Sequence, residues 1–452
     1  MADTIGVILS PNYKEKNETY PNRKDGEALF LNFVPDFLYQ QEMITNNIIN
    51  FNIKKTWNYP NNQELIDHYT HYNDLRSKGV QFFIGGGWSN QAALTLDQIQ
   101  FDPSKPHDVL LLSPTSDFIK CSYEFNNTPA TTTLKTAHDR LYRLYPCIDY
   151  LMNVIAKLIA NLEKISFVYT KKQVIIVHQT DSDNIALASN LENQLIQLGN
   201  INVLGTFPFE EKEVNLENVE SIKNTLNNML NTISNNNFQK HYVIVFLAKW
   251  SQILNFLLIM ETHSEYKKLL DSVCILNEPT REEIIDYSDD IIRWKKRVNK
   301  KTRFIYPIKV SREKMKLEQL SSNQWINDNF LPLTFGDLCW IDAAWMLAKS
   351  IVNVREKYTD FTVENVIKEL KIVSNDTWNM GKFEFDAYGD RKYCDYDLYW
   401  LSWERKPELC PFYGEYSFTK IGEIDTELNI DWKINWLKVL ITNIFEWLSP
   451  SS

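Results

Sequence analysis

The chain has 452 residues and a formal net charge of −10, too long for one ordinary domain and sized for two or three. The acidic balance argues against a nucleic-acid partner or an anionic membrane surface, both of which call for a basic footprint. Hydrophobic residues make up 44% and charged residues 23%, a globular mix with ample core material. No run of about 18 apolar residues marks a membrane span.

Met1-Ala2-Asp3 leads straight into the apolar run Ile5–Leu9, which reads as a strand, with no signal-peptide pattern before it. After a loop with Pro11 and Pro21, residues Gly26 to Ile44 read as a helix. Phe82-Phe83-Ile84 ends in Gly85-Gly86-Gly87 and leads into a helix starting at Ser89 or Asn90. Val109–Leu112 is another buried run that stops at Ser113-Pro114. This alternation of apolar run, turn and helix predicts βαβ units and a parallel sheet.

The rhythm restarts after Tyr145-Pro146. Asp149 to Leu162 is helical, and Val174–Val177 is a β-branched strand followed by the N-cap chemistry of Asp181-Ser182-Asp183. Ala188, Leu191, Leu195 and Leu198 share one helical face, and Gly199 supplies the stop. Val203–Phe207, Val243–Leu247 and Val273–Leu276 continue as strands, with an Asn-rich helix after the first. Residues 279–335 read as irregular and charged, the run Arg293–Lys301 as a solvated face. Ala344, Leu347, Ala348 and Ile351 form a helical stripe, and Phe383-Glu384-Phe385 and Tyr396–Trp400 read as late strands.

Six cysteines without a CxxC pair exclude a zinc ribbon or thioredoxin motif. They leave open local disulfides, Cys121–Cys147 and Cys394–Cys410, or isolated buried thiols. Gly85-Gly86-Gly87 lacks the Gly-Lys-Ser/Thr of a phosphate loop, and neither GxGxxG nor Gly-x-Ser-x-Gly occurs. His68 and His71 are separated by two residues on a predicted helix with no nearby third metal ligand, and read as surface histidines. Asp386–Asp390 lacks the pattern of a calcium loop and reads as a turn before a strand. No enzyme motif, metal site or cofactor is expected.

Four stretches, in order, resemble the type I periplasmic binding proteins of the leucine/isoleucine/valine-binding class, whose fold also serves as a receptor ligand-binding region. They are Phe83–Ala93, with the family's strand, Gly turn and Ser-initiated helix; Leu112-Ser113-Pro114-Thr115-Ser116, like "ISPxxT"; Tyr142–Pro146, like "fR..p"; and Asp342-Ala343-Ala344, heading a helix, with Phe385–Arg391, like "FDxnGdr". The resemblance spans roughly residues 5 to 403 and implies an α/β fold of two doubly wound, Rossmann-like lobes joined by a three-crossing hinge. Lobe 1 is expected at 1–148 and 279–390, lobe 2 at 149–278 and 391–452. It further implies a non-enzymatic protein that captures a small polar ligand by hinge closure, for a membrane transporter or sensor, without nucleic acid or membrane insertion. Such a protein is periplasmic or extracellular if an upstream signal was removed, and otherwise cytoplasmic. The rival reading is an interaction scaffold with a degenerate cleft.

In open α/β sheets ligands sit beyond the carboxyl ends of the strands. That rule and the resemblance point to Trp88, Ser89, Asn90, Ser113, Thr115, Ser116 and Asp117 from one lobe, and Asp183, Trp250 and Gln252 from the other. Ser89 and Asn90 either face a ligand or cap the next helix. Three positions depart from the family: Asp117 stands for its Thr, Asp183 for an aromatic, and Gln252 for an acidic residue. Either Asp117 and Asp183 point away and cap helix N-termini, or the two carboxylates approach one ligand, where their mutual repulsion calls for a positively charged ligand, as an amino acid or amine is.

Overall fold

The structure is a computed structural model. It describes residues 3–9, 30, 33–35, 49–55, 63–101, 109–118, 120–125, 128–135, 140–162, 172–210, 216–235, 242–248, 250–271, 273–277, 303–311, 320, 324, 335–375, 377–405 and 414–433. In chain order the elements begin with β1 (Asp3–Leu9), β2 (Ile49–Lys55), α1 (Gln63–Ser77), β3 (Phe82–Ile84), α2 (Ser89–Phe101) and β4 (Leu110–Ser113). A hairpin, β5 (Lys120–Phe125) and β6 (Thr128–Thr133), precedes β7 (Leu141–Pro146). Next come α3 (Ile148–Asn161), β8 (Lys172–Gln179), α4 (Ser182–Gln197), β9 (Ile201–Phe209), α5 (Leu216–Asn235), β10 (Val243–Leu247), α6 (Trp250–Thr262), β11 (Val273–Leu276) and β12 (Arg303–Val310). The chain continues through α7 (Phe335–Lys357), α8 (Val363–Val373) and the short β13 (Thr377–Trp378), β14 (Gly381–Lys382) and β15 (Asp390–Arg391). It ends in β16 (Asp395–Arg405), β17 (Gly414–Ile424) and β18 (Ile430–Trp432).

Two compact units form, Met1–Ile148 with Val310–Cys394, and Asp149–Lys309 with Asp395–Ser452. The second crossing was expected at residue 279, and it falls instead at Lys309/Val310. β12 pairs in parallel with β11 and so belongs to the second sheet, though a charged stretch of sequence conceals it. The third crossing moves from 390/391 to Cys394/Asp395, because Arg391 still pairs with Pro146 of β7.

The first sheet runs β15-β7-β4-β3-β1-β2, with every pairing parallel. Parallel strands need both faces covered, which period-two side-chain alternation achieves here. Ile5, Val7, Ile84, Leu112 and Leu144 pack against α7 and α8, through residues such as Trp340, Leu347 and Val366. Ile8, Phe83, Leu111 and Leu141 point the other way, onto Leu75 of α1 and Ala92, Ala93 and Leu96 of α2. Helix α7 is buried nearly all round, including Asp337 and Asp342. Asp342 therefore lies mid-helix rather than at a helix start; its carboxylate accepts from Asn379 Nδ2 and from the Met380 N–H (3.2 Å).

The second sheet runs β18-β17-β16-β12-β11-β10-β8-β9. β9, β8, β10, β11 and β12 are parallel, while β16, β17 and β18 form an antiparallel extension. Ile175, Val177, Ile244, Phe246 and Leu276 bury one face against Ile222 and Leu226 of α5 and Phe256 and Met260 of α6. Helix α4 opens on Asp181, whose carboxylate accepts from the Asn184 N–H at 2.9 Å, a cap worth about 1 kcal/mol.

Some expected elements differ. Phe383–Phe385 is not a strand; Phe385 makes a single bridge to Arg391. Most of Gly26–Ile44 lies outside the described residues, though Phe33, Val34 and Pro35 are helical; Arg293–Lys301 also lies outside them. Cys121, Cys147 and Cys394 are buried thiols rather than disulfide halves, and Cys410 lies outside the described residues. His68 is a core residue, 1% exposed. Among the described residues no helix is long and apolar enough to cross a membrane, and no group of three or more His, Cys, Asp or Glu side chains is arranged to hold a metal.

The turn after Phe385 constrains its glycine tightly. Asp386 Oδ1 accepts from the N–H groups of Tyr388 (2.8 Å) and Asp390 (3.0 Å), which leaves Gly389 at φ +79°. A Cβ there would stand 2.4 Å from Leu141 O. Gly389→Ala must both adopt a left-handed conformation and push β7 aside, at a cost of about 2–3 kcal/mol. Urea denaturation of the variant will show that loss; a change below about 0.5 kcal/mol would mean the turn is looser than described.

Candidate functional site

Both units share one strand order: β2-β1-β3-β4-β7 in the first and β9-β8-β10-β11-β12 in the second. This is the 2-1-3-4-5 winding, in which the order reverses between the first and third strands and a crevice opens at their carboxyl ends. In the first unit the reversal lies at β1 and β3, beside Gly85–Asn90. In the second it lies at β8 and β10, beside Gln179–Asp181 and Ala248–Gln252.

In the first unit a dense hydrogen-bond net joins two turns. Gly86 takes φ +61°, where a Cβ would come within 2.9 Å of Ala92 Cα, so glycine lets the strand end press onto α2. Ser113 Oγ donates to Gly86 O (2.7 Å) and Thr115 Oγ1 donates to Gly87 O (2.8 Å). Ser89 Oγ accepts from Ser116 Oγ and from the Asp117 and Phe118 N–H groups, each at 3.3 Å. Asn90 Oδ1 accepts from the Gln91 N–H at 2.8 Å. Ser89 thus binds the neighbouring turn rather than capping α2, and Asn90 satisfies a first-turn amide. Trp88 is half-buried just ahead of them. The structure therefore brings together Ser89, Ser113, Thr115, Ser116 and Asp117.

Beneath this net lies a residue that sequence reasoning passed over as part of a motif. Arg143, 1% exposed in the middle of β7, donates through Nε to Asp390 Oδ1 (2.6 Å) and through Nη2 to Oδ2 (2.8 Å). Its Nη1 donates to Phe118 O, so one guanidinium anchors the Ser113–Phe118 turn to β15. Burial works against the charge on Arg143, but Cys147, Asp390 and Asp117 outweigh it and hold the guanidinium charged. Burial pushes the Asp390 carboxyl above the usual carboxylate range while Arg143 pulls it back; the bidentate geometry keeps the pair ionised.

In the second unit Asp183 lies in the first turn of α4, whose cap is Asp181, and Trp250 opens α6; the two side chains lie outside the described residues. Gln252, 8% exposed, follows in the first turn of α6, and its Oε1 has no hydrogen-bond partner among the described residues. Buried His178 and Gln179 end β8, with the His178 ring Nδ1 2.7 Å from Gln179 O. Asn277, with its amide nitrogen turned toward β10, donates to Ala248 O (3.0 Å) and Phe246 O (3.3 Å). These three were not foreseen. Their only sequence signal is a polar residue closing an apolar strand.

Across its length the chain resembles the crystal structure of an ABC transporter substrate-binding protein from Desulfitobacterium hafniense in complex with Leu. The likeness covers 93% of this chain and 100% of that one, at 12% identity and a TM-score of 0.56. The fold is that of a type I periplasmic binding protein. No protein-family model and no curated protein matches the chain. At this identity the likeness establishes the fold, and the chemistry of the site rests on the residues described above.

Proposed function

We propose that this chain is a non-enzymatic ligand-binding protein that closes its two units on a small polar, amine-bearing ligand. It would act outside the cytoplasmic membrane and pass the ligand to a membrane transporter or report it to a sensor. The observation that carries this reading is the full-length likeness to a substrate-binding protein. Support comes from the carboxyl-end turns, where Ser89, Thr115 and Asp117 stand in the first unit and Asp183, Trp250 and Gln252 lie in the second. The buried Gln252 Oε1, without a partner among the described residues, suits a donor on a ligand, since an orphaned buried carbonyl costs about 1–3 kcal/mol.

One observation favours the rival reading of an interaction scaffold: the Ser113 and Thr115 hydroxyls are satisfied within the protein. A thermal-shift screen over amines, amino acids, amides, sugars and nucleosides separates the two. A ligand that binds only the folded form stabilises it by about 2.7 kcal/mol at a hundredfold excess over Kd. The expected result is a rise of a few degrees with at least one amine. A flat response across all classes would leave the scaffold reading standing.

A further inference from the structure

The Ser113–Phe118 turn is bonded on both sides, and on one side it is bonded to the first crossing between the units. Ser113 Oγ donates to Gly86 O and Thr115 Oγ1 to Gly87 O, which joins the turn to the glycines after β3. On the other side Phe118 O accepts from Arg143 Nη1, and Asp390 holds that guanidinium through Nε and Nη2. Asp117 links the two sides through its main chain. Its N–H lies 3.3 Å from Ser89 Oγ, and its C=O accepts from the Ile148 N–H at 2.9 Å. Ile148 closes the first segment of the first unit and opens α3, and Asp149 begins the second unit. The first N–H groups of a helix have no partner within it, so the Ile148 N–H must bond outside α3. It does so to the turn that carries Thr115 and Asp117.

We infer that the Asp117–Ile148 hydrogen bond couples the ligand turn to the first crossing, so that a ligand seated on residues 113–117 drives closure through it. The inference rests on the ligand-binding reading above and adds how that site is joined to the hinge. Only the φ and ψ bonds of Asp117 separate its contact with Ser89 from its contact with Ile148. The turn therefore cannot shift at one contact without straining the other, and the bonds from Ser113, Thr115 and Arg143 leave it little room to yield elsewhere. A ligand shifts an open–closed equilibrium only through interactions that differ between the two forms. A ligand turn bonded to the crossing supplies that difference, because its position follows the crossing.

Ile148→Pro removes the donor while α3 can still form, because proline suits the first position of a helix. Ile148→Ala is the control, since it trims the same side chain and keeps the N–H. Should Ile148→Pro misfold, the hydroxy-acid analogue of isoleucine at position 148 turns that amide into an ester and removes the same proton. The intact chain and its variants are titrated by calorimetry with leucine, lysine and 1,4-diaminobutane, and small-angle X-ray scattering at saturation follows compaction. Wild type and Ile148→Ala are expected to bind at least one of the three and to compact. In Ile148→Pro the affinity should fall about tenfold relative to Ile148→Ala, the scale of one lost backbone hydrogen bond, and most of the compaction should be lost. A merely structural bond would lower the melting temperature and leave compaction at saturation intact. Ile148→Pro equal to Ile148→Ala in affinity or in compaction would overturn the inference and leave the ligand-binding reading standing. If none of the three binds the wild type while another compound of the thermal-shift screen does, the inference likewise fails alone. Binding without compaction in the wild type, or no binding across that screen, would end both.

Discussion

Arg143→Met is expected to cost the first unit about 3–5 kcal/mol, the price of leaving a buried charge without its partner. Arg143 and Asp390 are 1% and 2% exposed, so water cannot replace the lost guanidinium. The same change also frees Phe118 O and loosens the turn that carries Thr115 and Asp117. The double variant Arg143→Met/Asp390→Leu should recover much of the loss, because it removes both charges and restores apolar contact. Urea denaturation, followed as two transitions where the units unfold separately, measures the effect. A loss below 1 kcal/mol in the single variant would contradict the description of a dry, bidentate pair.

The second large effect is on acid stability. His68 is buried between α1 and α2, with Nε2 2.7 Å from Thr95 Oγ1. Thr95 Oγ1 itself donates to Gln91 O (2.9 Å), so the imidazole must supply the proton in that contact and its Nδ1 carries none. Burial first, and His71 second, lower the His68 pKa from 6.5 to about 3. The unfolded chain therefore binds a proton at this residue across the window from about 6.5 down to about 3, while the folded chain does not. Stability rises with pH inside that window and is lost as pH falls through it, by about 1.4 kcal/mol per pH unit. Between pH 6.5 and pH 4 His68 alone should cost about 3 kcal/mol. His68→Gln retains a donor for Thr95 and does not titrate, so the stability difference between wild type and variant across pH isolates this residue from the carboxylates. Parallel pH profiles for the two proteins would show that the ring is wetter than described.

Much of this fold is legible in the sequence because its central strands are buried on both faces. Such strands read as continuous apolar runs, as in Phe82–Ile84, Leu110–Leu112, Val174–Val177 and Val243–Leu247, and their turns follow at once. Elements with one wet or edge face do not announce themselves. β2 is an edge strand rich in Asn and Lys, and β6 is Thr-Pro-Ala-Thr-Thr-Thr with most residues exposed or half-buried. β12 escaped notice because charged residues precede it and Pro307 interrupts it, although Phe304, Ile305 and Tyr306 are all buried. Of the site, the turns and their Ser, Thr and Asp residues were foreseeable from position alone. The direction of each hydroxyl was not, since a Ser beside a glycine turn can face a ligand or the backbone equally well. Nor was the union of Arg143 with Asp390, which lie 247 residues apart and meet only because β15 returns to pair with β7.

Hydrogen–deuterium exchange on the intact chain, with and without a saturating amine from the thermal-shift screen, tests most directly the claim that both units hold the ligand by their carboxyl-end turns. Protection is expected in peptides covering residues 85–90 and 113–118 of the first unit and residues 178–184 and 248–252 of the second, with the outer helices unchanged. Binding that protects neither set of turns, or protects only surfaces remote from the strand ends, would contradict the account.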